Sequence, residues 1–259
     1  MQTLFSTSEL PLSQLEKLGI YHQGQLMLEP DEISALLSGR RTELIPLREL
    51  KGDGFAIERL DARLSLARNT TGEIDVLIHP IYTQVLPHPL LSAQETQELI
   101  SGNVDFVGKR VEREEGRSIM MNFEYDPKTR EFVSYDVSEV QAPDLVNGML
   151  LSEEQRSSFR RGETLKMPDG TMLQHRASEP KGLRSDRNAL ILSVFLDGGI
   201  SYMLLRGIRS ISEKVNQLDY QTPAFSRALQ EMQGQGPEQQ EQIKLKVSQE
   251  ANFMRGMSR

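Results

Sequence analysis

Leu151-Ser152-Glu153-Glu154-Gln155-Arg156-Ser157-Ser158-Phe159-Arg160-Arg161-Gly162 is one copy of a phrase that the chain spells three times. The other two run from Leu28 to Gly39 and from Leu91 to Gly102, again from a leucine to a glycine eleven residues later. Three positions before each glycine stands an apolar anchor, Leu36, Leu99 or Phe159, and eight before it stands Asp31, Gln94 or Glu154. The copies lie 63 and 60 residues apart, a regularity that predicts a tandem module. Each phrase reads as a helix of about 9–11 residues closed by its glycine. Ser152 is placed to cap the third helix, with Glu153 and Glu154 in its first turn and Gly162 free to take the left-handed conformation. Pro30 suits the first turn of the first helix, and the second starts at Ser92.

Outward from each phrase the pattern changes to β-prone runs joined by turn residues. Arg63 to Ala67 and Ile74 to His79 flank Asn69-Thr70-Thr71-Gly72; Ile119 to Tyr125 and Glu131 to Tyr135 flank Asp126 to Arg130; Ala189 to Leu196 and Ile200 to Leu205 flank Asp197-Gly198-Gly199. These are hairpin signatures. Shorter strands are expected at Glu43 to Leu47, Val104 to Val111 and Thr164 to Lys166. The fold class that follows is α+β, with three consecutive helix-strand-hairpin modules of about 60 residues, antiparallel sheets and a C-terminal helical tail. Proline-rich joints, His79-Pro80 through Pro87-His88-Pro89 and Ala142-Pro143 to Gly148, set the boundaries. The expected divisions are 1–85, where a leading helix from Ser8 to Leu18 precedes the first module, then 86–141, 142–212 and a glutamine- and methionine-rich tail, 213–259. Two tail helices are expected, one from Thr222-Pro223 and one from Pro237-Glu238, separated by Gln233-Gly234-Gln235-Gly236-Pro237. In the second, Ile243, Val247, Ala251 and Met254 fall on one face, a stripe that packs on its own body or is captured by a partner protein.

Composition narrows the chemistry. The chain of 259 residues has no cysteine, which excludes disulfides, thiolate metal sites and a cysteine nucleophile. Met1 to Leu12 carries no signal-peptide pattern, and apolar runs such as Leu190 to Leu192 are far too short to span a bilayer, so no membrane role and a cytoplasmic location are expected. Net charge is −7, unevenly placed: residues 1–160 hold 16 basic and 26 acidic side chains, residues 161–259 hold 14 and 11. Nucleic-acid contact, if there is any, therefore belongs to the third module.

Three segments carry a family resemblance. Leu15-Glu16-Lys17-Leu18-Gly19 with Leu36-Leu37-Ser38-Gly39-Arg40-Arg41-Thr42, then Ala62-Arg63-Leu64-Ser65-Leu66, then Leu150-Leu151-Ser152-Glu153-Glu154-Gln155 resemble two domain-of-unknown-function families. These occur in tandem in Bacteroidetes proteins, often encoded on conjugative transposons and sometimes in one chain with a type IA topoisomerase. The resemblance covers about residues 8–85 for the first family and 86–212 for the second. It implies work beside DNA processing or transfer and carries over no catalytic residue. Where a lysine-rich, aromatic stretch is expected after Gly162, this chain has Met167 to Lys181 instead.

Candidate sites are few. Pro168-Asp169 followed by Glu179-Pro180-Lys181 matches the order of a metal-dependent nuclease motif, two carboxylates for a divalent ion and a lysine for the attacking water. Against it, Pro180 cannot donate to a strand ladder, and Asp169-Gly170 is also a common turn dipeptide. Arg156, Arg160, Arg161, Arg176, Lys181, Arg184 and Arg187 form the nucleic-acid candidate, centred on what reads as a turn at Asp169-Gly170 and a basic loop after it; Glu179 and Asp186 interleave them and no aromatic stands by to stack a base, so a solvated loop or a surface for an acidic partner is the competing reading. His79 and His88 flank the first joint without metal-site spacing, and Tyr21, Tyr82, Tyr125, Tyr135, Tyr202 and Tyr220 lack the company of a strand-cleaving nucleophile. No cofactor or metal is called for and no catalytic residue is assigned. The expectation is a non-catalytic protein-protein adaptor or accessory protein of a bacterial mobile-element DNA-processing or transfer complex. Direct nucleic-acid binding through the third module is the alternative, and a nuclease at Asp169, Glu179 and Lys181 is the second.

Overall fold

A computed structural model describes residues 4–52, 54–113, 116–196, 199–211, 217 and 221–234. The fold is mixed α+β, with several small antiparallel sheets and a helix toward the C-terminus. The chain divides into two compact bodies. The first comprises residues 2–139 together with 176–182, and the second comprises 140–175 and 183–259.

The first body opens on a 3-10 turn, Thr7–Glu9, and helix α1, Leu12–Lys17. The single helix expected from Ser8 to Leu18 is thus split, because Pro11 has no N–H to donate and holds the chain non-helical at that point. A tight hairpin of β1, Tyr21–His22, and β2, Gln25–Leu26, turns at Gln23-Gly24, both at positive φ. Helix α2, Pro30–Leu37, follows, and then β3, Ile45–Gly52, β4, Phe55–Arg68, and β5, Ile74–Pro80, in sheet order β3-β4-β5. Strand β3 runs further than Leu47. Glu49, at φ 53°, breaks the in-out alternation so that Leu50 returns to the buried side with Ile45 and Leu47. Thirteen buried hydrophobics, among them Leu15, Leu36, Leu47 and Leu64, form the core under this sheet.

The stretch expected to form the second module contains α3, Ala93–Ile100, β6, Val107–Glu112, β7, Ser118–Asp126, and β8, Glu131–Asp136, in sheet order β6-β7-β8. Its apolar content is thin. Among the described residues of 86–139, only Leu99 and Phe123 are buried hydrophobics, each worth about 1.5–3 kcal/mol. Ordering the chain costs about 1–2 kcal/mol per residue, so this module depends on what its other face meets.

The second body contains the hairpin β9, Leu145–Val146, and β10, Met149–Leu150, then α4, Glu153–Arg160. Next come β11, Leu165–Lys166, β12, Met172–His175, β13, Leu183–Ser185, β14, Ala189–Leu196, and β15, Gly199–Arg206. Two sheets result, β10-β9-β14-β15 and β11-β12-β13. The third module therefore keeps the order helix, strand, hairpin and adds a hairpin, β12 with β13, in a stretch read as turn and loop. Helix α5, Pro223–Gln233, starts as expected: Thr222 Oγ1 accepts from the Phe225 amide, and Phe225 and Ala228 pack with Ile191. The second expected tail helix lies outside the described residues.

The three phrases share one ending. Gly39, Gly102 and Gly162 have φ of 69°, 70° and 76°. Their amides donate to Leu36, Leu99 and Phe159, and the next amides, of Arg40, Asn103 and Glu163, reach back to Ala35, Glu98 and Ser158. This double bond pattern satisfies the last carbonyls of a helix. The helices have 8 residues each, shorter than expected, because cap and final left-handed turn take up the rest of the phrase. At the starts of α3 and α4, the side chains of Ser92 and Glu95, and of Ser152 and Gln155, bond each other's amides reciprocally.

One capping group yields a pH test. A hydrogen bond from Lys109, and next the bond from the Ser92 amide, hold the Glu95 carboxyl at about 2. Its folded value lies below the unfolded value of about 4.3, so its contribution is present above that pH and is lost as pH falls through 2. An NMR titration of the Glu95 carboxyl carbon should show a midpoint near 2, and Lys109→Ala should raise it.

Candidate functional site

Alternation along β4 sends Ala62, Leu64 and Leu66 into the core and Arg63 and Ser65 to the opposite face. Arg63 is nevertheless fully buried. A buried guanidinium is tolerable only when paired and hydrogen-bonded. Its Nη1 donates to Asp126 Oδ2 at 2.8 Å and to the Ser178 carbonyl at 2.6 Å, and Glu43 lies 3.8 Å from Nη2. Arg41 enters beside it, donating to Glu131 Oε2 at 2.9 Å and Thr129 Oγ1 at 3.3 Å. Thr129 in turn bonds Asp126, Lys128 pairs with Glu43, and His79 bridges the Ser65 hydroxyl and Glu131.

The turn after β7 is built to meet this face. Asp126 Oδ1 accepts from the Lys128 amide, and Arg130, at φ 60°, turns the chain so that its guanidinium donates to the carbonyls of Tyr82 and Thr83. The two three-stranded sheets of the first body thus carry helices on their apolar faces and join through polar ones.

Residues 176–182 complete the site. Glu124, fully buried on β7, accepts from the amides of Ala177 at 3.2 Å and Ser178 at 2.9 Å. Arg176 is buried, donating to the Asp105 carbonyl and lying 3.7 Å from Glu124. Arg40 donates to the Pro180 carbonyl at 2.8 Å, and Lys181 pairs with Asp31 at 2.9 Å. Burial, followed by the charge of Glu124, pushes the Tyr135 hydroxyl above the ordinary tyrosine range.

The charged groups of this site are matched to one another. Arg41, Arg63, Lys128 and Arg176 face Glu43, Glu124, Asp126 and Glu131, so the formal charges cancel. Burial opposes the charge on Glu131, yet His79 and Arg41 outweigh it and hold the carboxyl below its usual range. Burial lowers the Arg41 pKa and takes Arg40 to about 10, leaving both cationic at neutral pH.

The residues singled out in the sequence are dispersed. Arg176 and Lys181 belong to the first body, and Arg156, Arg160, Arg161, Arg184 and Arg187 belong to the second. Arg156 pairs with Glu153 and Asp144, Arg160 with Glu153, and Arg161 with Glu163. Arg187 is buried beside Asp186, and Arg184 is half-buried on β13 opposite Gln174. Of the nuclease motif, Asp169 lies in the second body, whereas Glu179 and Lys181 lie in the first. Burial disfavours the Asp169 charge, but bonds from Thr222 and the Thr171 amide outweigh it, marking a turn carboxylate that anchors the start of α5. Among the described residues no group of three acidic or histidine side chains could hold a metal ion.

His79 joins the ion network, while His88 packs edge-on to Phe123, its pKa lowered by burial, and accepts the Leu90 amide. Tyr21 and Tyr202 pack against hydrophobic clusters and Tyr125 against Phe132. The Tyr82 amide donates to the Thr129 carbonyl. Tyr220, Ile243, Val247, Ala251 and Met254 lie outside the described residues. A pocket lined by Asn147, Arg187, Asn188, Ala189, Gln221, Thr222 and Phe225 offers about 10 Å3, room for about one water molecule and far below a small-molecule site. Sequence reasoning passed over Arg41, Arg63, Glu124 and Asp126. The signal was in Ala62-Arg63-Leu64-Ser65-Leu66, where an arginine occupies the second face of a strand otherwise apolar and small.

Removing one partner from the buried pair should cost about 3–5 kcal/mol because the other charge is left unpaired. Urea unfolding of Arg63→Ala, Asp126→Ala and the double variant is therefore expected to show losses well short of additive. Additivity within about 0.5 kcal/mol would contradict the coupling.

Residues 5–89 match a family model described as a protein of unknown function (DUF4099). The match contains Arg40, Arg41, Arg63 and His79 and ends before Glu124, Asp126 and Glu131. No curated protein and no solved structure matches the chain.

Proposed function

We propose that this chain is a non-catalytic protein-protein adaptor, acting in the cytoplasm within a mobile-element DNA-processing or transfer complex. The supporting observation is an apolar run on and after β5, where Leu77, Ile78, Ile81, Leu86 and Leu90 are 39–52% exposed. Strand β5 is an edge of its sheet. Gln14 occupies part of that edge by bonding the Val76 amide and Asp75, whereas Ile78 carries its exposed apolar side chain further along. Edge strands with exposed apolar side chains pair with other chains unless guarded. A partner presenting an apolar strand or segment fits this surface.

The internal pairing of Arg156, Arg160, Arg161, Arg176 and Lys181 weighs toward a protein ligand over a phosphate backbone. No helix among the described residues is long and apolar enough to cross a membrane. The mobile-element setting rests on the family resemblance. Leu77→Lys with Ile81→Lys should leave the unfolding midpoint within about 0.5 kcal/mol of the parent, as surface changes do, and reduce capture of the partner at least tenfold. Undiminished capture would remove this surface. Salt-sensitive retention of DNA or RNA, abolished by reversing Arg156, Arg160 and Arg161, would replace the reading with direct nucleic-acid binding.

A further inference from the structure

Loops ordinarily run over the surface, where water satisfies their backbone. Residues 176–182 do not. The segment is closed on itself by bonds from the Arg176 amide to Gly182 and from the Gly182 amide to Glu179. Its outward-facing backbone is taken by side chains of 2–139: two amides by Glu124, the Ser178 carbonyl by Arg63 and the Pro180 carbonyl by Arg40. Its two basic ends meet Asp105 and Asp31. Glu124 and Arg63 are fully buried, an expense that a mere connection between two strands does not require. This is the anatomy of a receptor site with a ligand seated in it.

We infer that residues 2–139 form a site that recognises a tight, basic-ended loop, and that the loop 176–182 of a second copy can occupy it in place of the resident one. The segment shown to fit is the chain's own, which names the partner. Exchange between copies replaces each contact with its identical counterpart and so costs little beyond opening the connection, the basis of domain swapping. The resident loop competes at an effective concentration on the order of millimolar, so the exchange is concentration-dependent. This surface is separate from the β5 edge, and neither reading depends on the other.

Complementation tests it. One full-length variant carries Glu124→Lys, which spoils the receptor and leaves the loop intact; another has 176–182 replaced by glycine and serine, which does the reverse. Mixed at tens of micromolar, the two should form a 1:1 complex in sedimentation velocity, while each by itself stays monomeric. No complex between two variants that both retain cooperative unfolding would overturn the proposal.

Should either variant fail to fold, the parent chain with a cyclic peptide of residues 174–184 decides instead. At millimolar peptide, amide hydrogen exchange at Ala177 and Ser178 should accelerate at least fivefold as the resident loop is displaced. The acceleration should be larger in Gly182→Ala, where φ is +72° and the new Cβ would lie 3.0 Å from Arg40 Cδ. Unchanged exchange in both proteins would overturn the proposal.

Discussion

Arg63 and Asp126 meet at 2.8 Å with side chains 1% and 2% exposed, and the first body depends on that contact. Taking two such charges out of water costs several kcal/mol apiece, and the cost is recovered only in good geometry with further hydrogen bonds. Thr129, Ser178 and Arg41 supply that company. Buried ion pairs add little net stability compared with apolar packing, but they penalise alternatives heavily. A sheet docked one residue out of register would leave both charges buried and unmatched.

The dependence is sharpest in the second module, where Leu99 and Phe123 are the buried hydrophobics among the described residues of 86–139. Its sheet cannot be held by apolar burial of that size. Asp126 and Glu124 attach it to β4 and to residues 176–182, so that the polar face does what a larger core does in the first module.

Much of the local structure was legible in the residues. The three phrases are helices because serine, proline and acidic residues satisfy their first amides and a left-handed glycine satisfies their last carbonyls, all within a dozen positions. The hairpins at 63–79, 119–135 and 189–205 announced themselves by alternation and turn residues. The hairpin of β9 and β10 escaped notice because strands of two residues are too short to show a period. Strands β12 and β13 escaped because Gln174, His175 and Arg184 read as a basic loop, although pairing and burial with neighbouring elements make them strands.

The candidate site was less legible, for a different reason. From the sequence, Arg63 lies on the second face of a strand and Asp126 begins a turn; nothing local says that they meet, since they are 63 positions apart. Likewise the arginines and lysine of 156–187 read as one basic cluster, because spacing along the chain cannot show that Glu153, Asp144, Glu163, Asp105 and Asp31 pair with Arg156, Arg160, Arg161, Arg176 and Lys181. Caps, turns and strand alternation are satisfied by neighbours in sequence, and the sequence by itself determined them. Which charges are buried, and with whom, is a matter of desolvation and long-range register, and only the tertiary structure decided it.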